Sequence, residues 1–304
     1  MKASIKLFVF LTVVLFLMSA FSCNCLVRKA KSFANLFFGE DSSKEHWDNE
    51  KILNEKYLDY VITGEITNTV SLKKIKIQNY YAAMSIRTSE TATHIQYTTK
   101  GISEKFIKIT EEKDSFTLTE INCYKNKDRP RGKIVSSIEI IIPNDMAFDT
   151  FEVSTCNKTE IIGRIKGTMK LHTGIGETTV DLKDSQLDSF ELDTGTADCR
   201  IESFSAAAFT CDSGVAKLVL KNCSVQNPTI SAGGEFDFVG NASGNMKLRT
   251  DIGKVSVDLK DSQLDSLQLE TGVAEIRIEN FSYKELVLDG DERLLTLKNI
   301  TQGN

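Results

Sequence analysis

The sequence predicts an all-β protein: a single-stranded β-solenoid of about 19–21-residue coils, carrying an irregular β cap on its N-terminal side and preceded by a hydrophobic helix. Three observations carry this. Residues Met169 to Phe204 are written again as Met246 to Phe281, at an offset of 77 and with 24 of 36 positions identical. An apolar-x-apolar-x-x-Gly signal recurs from Leu171, Leu192, Cys211, Ile230, Leu248, Leu269 and Leu288, at slightly unequal steps, and the four steps from Leu171 to Leu248 make up the same offset of 77. Within each unit apolar and polar residues alternate until a small or turn-forming residue interrupts them. Such alternation reads as two short strands per unit with a bend between. A unit this short has too little apolar surface to offset its own ordering, so it must stack on its neighbours, each about 4.8 Å above the last.

Taken from the start, Lys2 and Lys6 precede an apolar run from Leu7 to Met18, followed by Ser19, Ala20 and Ser22. That is the pattern of an export signal. Three readings stay open: cleavage after the Ala20-Phe21-Ser22 triplet, lipid attachment at Cys23, and retention as an anchor. The last is feasible, because the whole run from Leu7 to Val27 carries no charge and is long enough to cross a bilayer. Arg28, Lys29 and Lys31 follow, so flanking charge does not set the orientation. All three readings place the body outside the cytoplasm, at the cell membrane or envelope. The expected segments are residues 1–27 as signal peptide or anchor, 28–60 as a polar spacer, 61–150 as an irregular β cap and 151–304 as the solenoid.

In the cap, strand-like runs include Ile75-Lys-Ile77, Met84-Ser-Ile86, Phe116-Thr-Leu118 and Ile138 to Ile142, which Pro143 ends. An unprotected end of a strand stack invites edge pairing, which gives the cap its reason. In the solenoid, three columns align across coils. Cys199, Leu218, Ile276 and Leu295 form one. Ile201, Leu220, Ile278 and Leu297 form the second, and Phe204, Cys223, Phe281 and Ile300 the third. These are the expected inward ladders, each buried member contributing roughly 1.5 to 3 kcal/mol. The bends fall at Gly174, Gly195, Gly214, Gly233, Asp251, Gly272 and Asp291, where glycine suits a positive φ and Asp tolerates it.

These residues carry a resemblance. The run LKKIKIQNYYAAMSIRTSE, the FTLTE strand, the lead-in IEIIIPNDMAFDTFEVST and the repeated ELDTGTADCRIESF-like units are similar to the bacterial putative-adhesin family of β-strand-repeat proteins, a domain of unknown function. The likeness covers about Val70 to Ile300, with Cys156 standing where a Gly-Asp type bend would be usual. Its motifs are periodic rather than chemical. It implies an exported or membrane-anchored repeat protein and no particular activity.

Residue chemistry points the same way. A net charge of −5 with no basic block speaks against nucleic acid. His172 stands where the second copy has Arg249, so it is read as a surface residue rather than a ligand or base, as is His94. With Cys23 and Cys25 set aside, Cys123, Cys156, Cys199, Cys211 and Cys223 form no CxxC pair, and Cys199 and Cys223 occupy apolar columns, so buried thiols are expected. The twin DLKDSQLD segments place Asp181, Asp184 and Asp188 opposite Asp258, Asp261 and Asp265. Clustered carboxylates can hold Ca²⁺ or do acid–base work, but the spacing matches no metal loop, and Asp is a common turn residue. No catalytic, metal or cofactor site is therefore expected. Asn-x-Ser/Thr triplets occur at Asn157, Asn222, Asn241, Asn280 and Asn299 and carry no automatic meaning in a bacterial protein.

The function this predicts is a non-catalytic, adhesin-like envelope protein whose outer rows, including Lys170, Glu191, Lys247 and Gln268, meet an envelope polymer or protein. The membrane is the expected partner of the N-terminal segment. A self-assembling scaffold is the alternative, motivated by the run TLKNITQGN directly after the last coil, which leaves the C-terminal solenoid end free to associate. A polysaccharide-active β-helix enzyme using Asp184 and Asp261 is the third.

Overall fold

Alternating β-branched and polar side chains run from Val61 to Gln302, and strands take up nearly all of that length in the computed structural model, which describes residues 60–304 except 68, 122–135, 145, 215–216, 291–293 and 304. The expected N-terminal helix, almost all of the spacer, Cys23, Cys25, Cys123 and the bend at Asp291 lie outside the described residues. Single 3-10 turns stand at Thr69–Ser71 and Glu104–Phe106, and no α-helix occurs among the described residues.

The regular part begins with β8 (Ala147–Thr155), β9 (Thr159–Ile162), β10 (Lys166–Thr173) and β11 (Glu177–Thr194). It continues through β12 (Asp198–Ala206), β13 (Phe209–Ser213), β14 (Lys217–Gln226), β15 (Thr229–Ala232) and β16 (Glu235–Thr250). It ends with β17 (Lys254–Thr271), β18 (Glu275–Gly290) and β19 (Leu295–Gln302). Every pairing among these strands is parallel, with the register shifting only at corners and bulges, giving a β-solenoid of about eight turns.

Each turn has three faces, one more than the sequence suggested. On the first face Leu171, Leu192, Cys211, Ile230, Leu248, Leu269 and Leu288 stack in order. On the second, Cys199 pairs with Leu218 and Ile276 with Leu295, while Ile201 pairs with Leu220 and Ile278 with Leu297. The third is short: Phe204 pairs with Cys223, and Phe281 with Ile300. It hides in the sequence because the chain turns between the second and third faces at Glu202-Ser203 or Lys221-Asn222, where two outward residues follow each other and period-two alternation is lost.

The inward columns are dry. Leu218, Leu220, Ile201 and Ile278 are each 0 % exposed, and Cys199, Phe204, Cys223, Ile276 and Phe281 are buried with them. Phe190, Phe204 and Phe209 meet edge-on or tilted at centroid distances of 5.2 to 5.8 Å, which fills the interior where first and third faces converge. Leu295, Leu297 and Ile300, the members contributed by β19, are only half-buried because no further rung covers them among the described residues.

Two corners follow different rules. Between the first and second faces lie the glycine bends. None of Gly174, Gly195, Gly214, Gly233 and Gly272 has a positive φ, contrary to the expectation from sequence. Glycine is needed there for closeness: a Cβ on Gly195, Gly214 or Gly233 would sit 2.6 to 2.7 Å from the carbonyl oxygen of the glycine one rung below. Backbone bonds fasten the same corner, with Gly195 N–H donating to Thr173 O, Gly214 N–H to Thr194 O and Gly233 N–H to Ser213 O at 2.6 to 2.9 Å. Cys156 occupies this column beneath Gly174, and Gly174 N–H donates to Thr155 O.

Between the second and third faces the corner length varies. It runs from Asp181 to Ser185 in β11 and from Asp258 to Ser262 in β17, but only from Glu202 to Phe204, Lys221 to Cys223 and Glu279 to Phe281 elsewhere, and from Val239 directly to Gly240 in β16. The two wide corners account for the two longest steps of the sequence repeat, from Leu171 to Leu192 and from Leu248 to Leu269. Positive φ is concentrated here, at Lys183, Asp184, Ser203, Asn222, Lys260, Asn280 and Asn299, and Asn is among the few residues that tolerate it.

The N-terminal strands are β1 (Val61–Ile66), β2 (Lys74–Asn79), β3 (Ala83–Ser89), β4 (Ile95–Lys100), β5 (Ile107–Glu111), β6 (Ser115–Glu120) and β7 (Ser137–Pro143). They are more regular than expected. β2 pairs in parallel with both β6 and β8, and β3 with both β7 and β9. The rung β2–β3 thus lies between rungs β6–β7 and β8–β9, out of sequence order. Glu120 closes the bend beneath it, its carboxylate accepting from the N–H groups of Tyr80, Tyr81 and Ala82. Outside that stack the pairing turns antiparallel: β4 lies on β7, β1 on β4, and β5 on β6.

Candidate functional site

The variable corner shapes the outer surface of the third face. In each wide corner the Asp that begins it folds an Asx turn: Asp181 Oδ1 accepts from Lys183 N–H and Asp258 Oδ1 from Lys260 N–H, both at 3.1 Å. The Ser that ends it plugs the step between rungs. Ser185 Oγ donates to Leu182 O and accepts from Ile165 N–H at 2.8 Å, and Ser262 Oγ donates to Leu259 O and accepts from Ala242 N–H at 2.9 Å. The twin DLKDSQLD segments are therefore folded alike, and the similarity reaches back to Gly163 and Gly167, whose counterparts are Gly240 and Gly244. Gly167 and Gly244 both have positive φ, at 92° and 73°.

Two extra residues push Lys183 and Asp184 outward in one ridge, and Lys260 occupies the same place in the second. Between the ridges lie three narrow rungs, so the ridges stand four rungs, about 19 Å, apart. The space between is a groove of about 420 Å³, with Asp184 and Gln186 at one end, Lys260 at the other, and Ser205, Ser224, Asn222 and Asn241 among its floor residues. Across the first ridge a second hollow of about 650 Å³ takes in Asp149, Arg164, Lys166, Asp184 and Asp188. Arg164 Nε donates to Lys183 O there, at 3.4 Å.

The corner also explains the Asn-x-Ser/Thr triplets at Asn222, Asn280 and Asn299. Each is a left-handed corner Asn, then the inward Cys223, Phe281 or Ile300, then the outward Ser224, Ser282 or Thr301. Asn280 Nδ2 donates to Asp258 Oδ1 at 2.8 Å and Asn299 Nδ2 to Asn280 Oδ1 at 2.9 Å, tying neighbouring corners.

The remaining candidates are placed apart. Burial works to raise the Asp181 carboxyl, but the side chain and backbone N–H of Lys183 outweigh it and hold the group below the usual carboxylate range. The Asp181–Lys183 ion pair measures 2.7 Å. The carboxylate is thus committed to its turn. Asp184 and Asp188 are exposed, and the side chain of Asp261 lies outside the described residues. Among the described residues, His, Cys, Asp and Glu form no group that could hold a metal ion. The first-face rows are ion-paired: Lys170 to Glu191 and Lys247 to Glu270 at 2.7 Å, Lys76 to Glu152 at 2.8 Å. His172 lies half-buried 3.8 Å from Asp193, which raises its pKa by hydrogen bonding against a smaller opposing effect of burial. Cys199 and Cys223 are free thiols pushed by burial to about 12, far from a reactive thiolate.

The groove was not foreseen from sequence. Its signal was present in the unequal coil lengths, but those report corner geometry only once the three faces are known.

No protein-family model and no curated protein matches the chain. Solved structures do. A putative adhesin from Parabacteroides distasonis is 10 % identical over 80 % of this chain and 97 % of its own, with a TM-score of 0.51. A putative adhesin from Bacteroides fragilis is 13 % identical over 79 % of this chain and 97 % of its own, with a TM-score of 0.47. A putative lipid binding protein from Parabacteroides distasonis is 13 % identical over 80 % and 98 %, with a TM-score of 0.44. At these identities the likeness is one of fold, and it agrees with the adhesin-like resemblance read from the sequence.

Proposed function

We propose that the chain is a non-catalytic, adhesin-like protein, held at the cell envelope by its N-terminal segment, that binds an extracytoplasmic polymer or protein through the third face of its solenoid. The observation that carries this reading is the groove between the two DLKDSQLD ridges, a recess built by paired corner insertions rather than by any reactive constellation. The Asp181 carboxylate, held below its usual range, serves the corner itself, which favours binding over acid–base work.

The reading is tested by incubating the full-length protein with purified envelope polysaccharide and peptidoglycan, then measuring co-sedimentation and released reducing ends. Saturable binding with no release is expected. Release of reducing ends would replace this reading with an enzymatic one, and absence of binding to both polymers and to intact cells would remove it.

A second reading has one observation of its own. At the last described rung, Tyr283, Leu286, Leu288, Leu295, Leu297 and Ile300 are only half-buried, and Val287 is 42 % exposed. Self-association through this end would cover them. Analytical ultracentrifugation of the full-length protein decides it: growth of the sedimentation coefficient with concentration supports assembly, and a fixed monomer value removes it.

A further inference from the structure

We infer that the groove between the ridges is a binding subsite for a short stretch of neutral, hydroxyl-rich glycan, laid along the stack with one sugar over each narrow rung. The inference deepens the proposed function and rests on it.

The argument begins with what the floor offers. Ser205 pairs in register with Ser224, and Ser224 with Asn241, so their backbone N–H and C=O groups serve the neighbouring rungs. A ligand therefore meets side chains alone. Ser224, Asn222, Asn241 and Gln186 are exposed. Hydroxyl and carboxamide groups both donate and accept hydrogen bonds, which is the capacity needed to match sugar hydroxyls whose direction varies from ring to ring.

An extended peptide fits the same surface poorly. Peptides are taken up by adding a strand to a free sheet edge, with pockets for alternate side chains. Here the edges are already paired, and the apolar residues beneath the floor, Phe204 and Cys223, are 3 % and 2 % exposed. No apolar pocket opens between them.

Charge and length narrow the ligand further. Asp184 and Lys260 stand at opposite ends, and the other lining residues are uncharged, so the groove balances to neutrality and does not select a polyanion. The rung spacing of about 4.8 Å is close to the length of one pyranose unit along an extended chain. The ridges bound the groove at both ends. Three rungs, at Ser205, Ser224 and Asn241, therefore serve a few successive sugars.

The chain-length dependence gives the test. Cello- and chito-oligosaccharides, from the disaccharide to the hexasaccharide, are titrated into the full-length protein by calorimetry. Affinity for at least one series is expected to rise with each added sugar up to about three and then level off. Ser224→Arg and Asn241→Arg, both outward-facing, should each weaken that binding at least about tenfold while the melting temperature stays that of the parent, and Lys254→Ala on the second face should leave it unchanged. Preference for polygalacturonate or for an extended peptide over both neutral series would overturn the inference. So would undiminished binding by both arginine variants, or failure to bind either series while the full-length protein still co-sediments with envelope polymer. In the last case the adhesin-like reading survives and the groove assignment does not.

Discussion

The glycine corner and the variable corner turn the same chain through the same stack, yet one differs between rungs by a single residue, from Ala232 to Glu235, while the other takes one, two or four residue steps. At the glycine corner a Cβ on Gly195, Gly214 or Gly233 would lie 2.6 to 2.7 Å from a carbonyl one rung below, and only Cys156 and Asp251 carry a side chain in that column among the described residues. At the other corner one, two or four residue steps carry the chain from second face to third, and left-handed Asn, Ser, Asp and Lys residues fill the turns. A repeat can keep its strands stacked in parallel while varying in outline, provided one corner stays nearly constant and another is free to bulge. The groove exists because the bulging corner is long twice and short between.

This contrast can be broken in stages. The largest effect belongs to the columns both corners serve: Leu220→Asp or Ile278→Asp buries an unpaired charge and should cost more than about 4 kcal/mol, enough to unfold the body by circular dichroism. Gly214→Val comes next, because its Cβ would lie 2.6 Å from Gly195 O, and about 3 kcal/mol should be lost in urea denaturation. Ser185→Ala and Ser262→Ala each strand a buried N–H, that of Ile165 or Ala242, and should each cost about 1–3 kcal/mol by the same measurement.

Removing Lys183 and Asp184 together turns a wide corner into a narrow one. It should lower the melting temperature by only a few degrees, about 1–2 kcal/mol, since surface turns accept such changes. Excising Gly195 and Thr196 instead should abolish folding. The smallest effect is that of pH. Asp181 is held below its ordinary pKa, so its contribution is present above the unfolded value and fades as pH falls through the folded one. Asp181→Asn should flatten the acid limb of a stability-versus-pH curve and change little at neutrality.

Much of this architecture could be read from residue order. Leu218, Leu220, Ile276 and Ile278 announce themselves by alternation, and the columns named from sequence occupy neighbouring rungs with their side chains inward. The third face could not be read in the same way, since Glu202-Ser203 and Lys221-Asn222 interrupt the alternation where the chain turns. Nor could the reason for glycine: sequence shows that no side chain is wanted, but not whether φ or a carbonyl one rung away forbids it. The rung β2–β3 was missed for a third reason. Its partners β8 and β9 lie far along the chain, with β4 to β7 in between, and local periodicity carries no trace of so distant a pairing. The groove depends on differences in corner length, which only coordinates convert into shape.

The interleaving of β2–β3 has a mechanical consequence. Tension applied at the C-terminal end can detach β19 and then the strands of β18 one rung at a time, since each is held from one side only once its neighbour has left. Tension entering from the N-terminal side reaches β2 while it is gripped by β6 and β8 together, and must slide it past both at once. Pulled from both ends, the described strands would yield first at β19 and hold at β2.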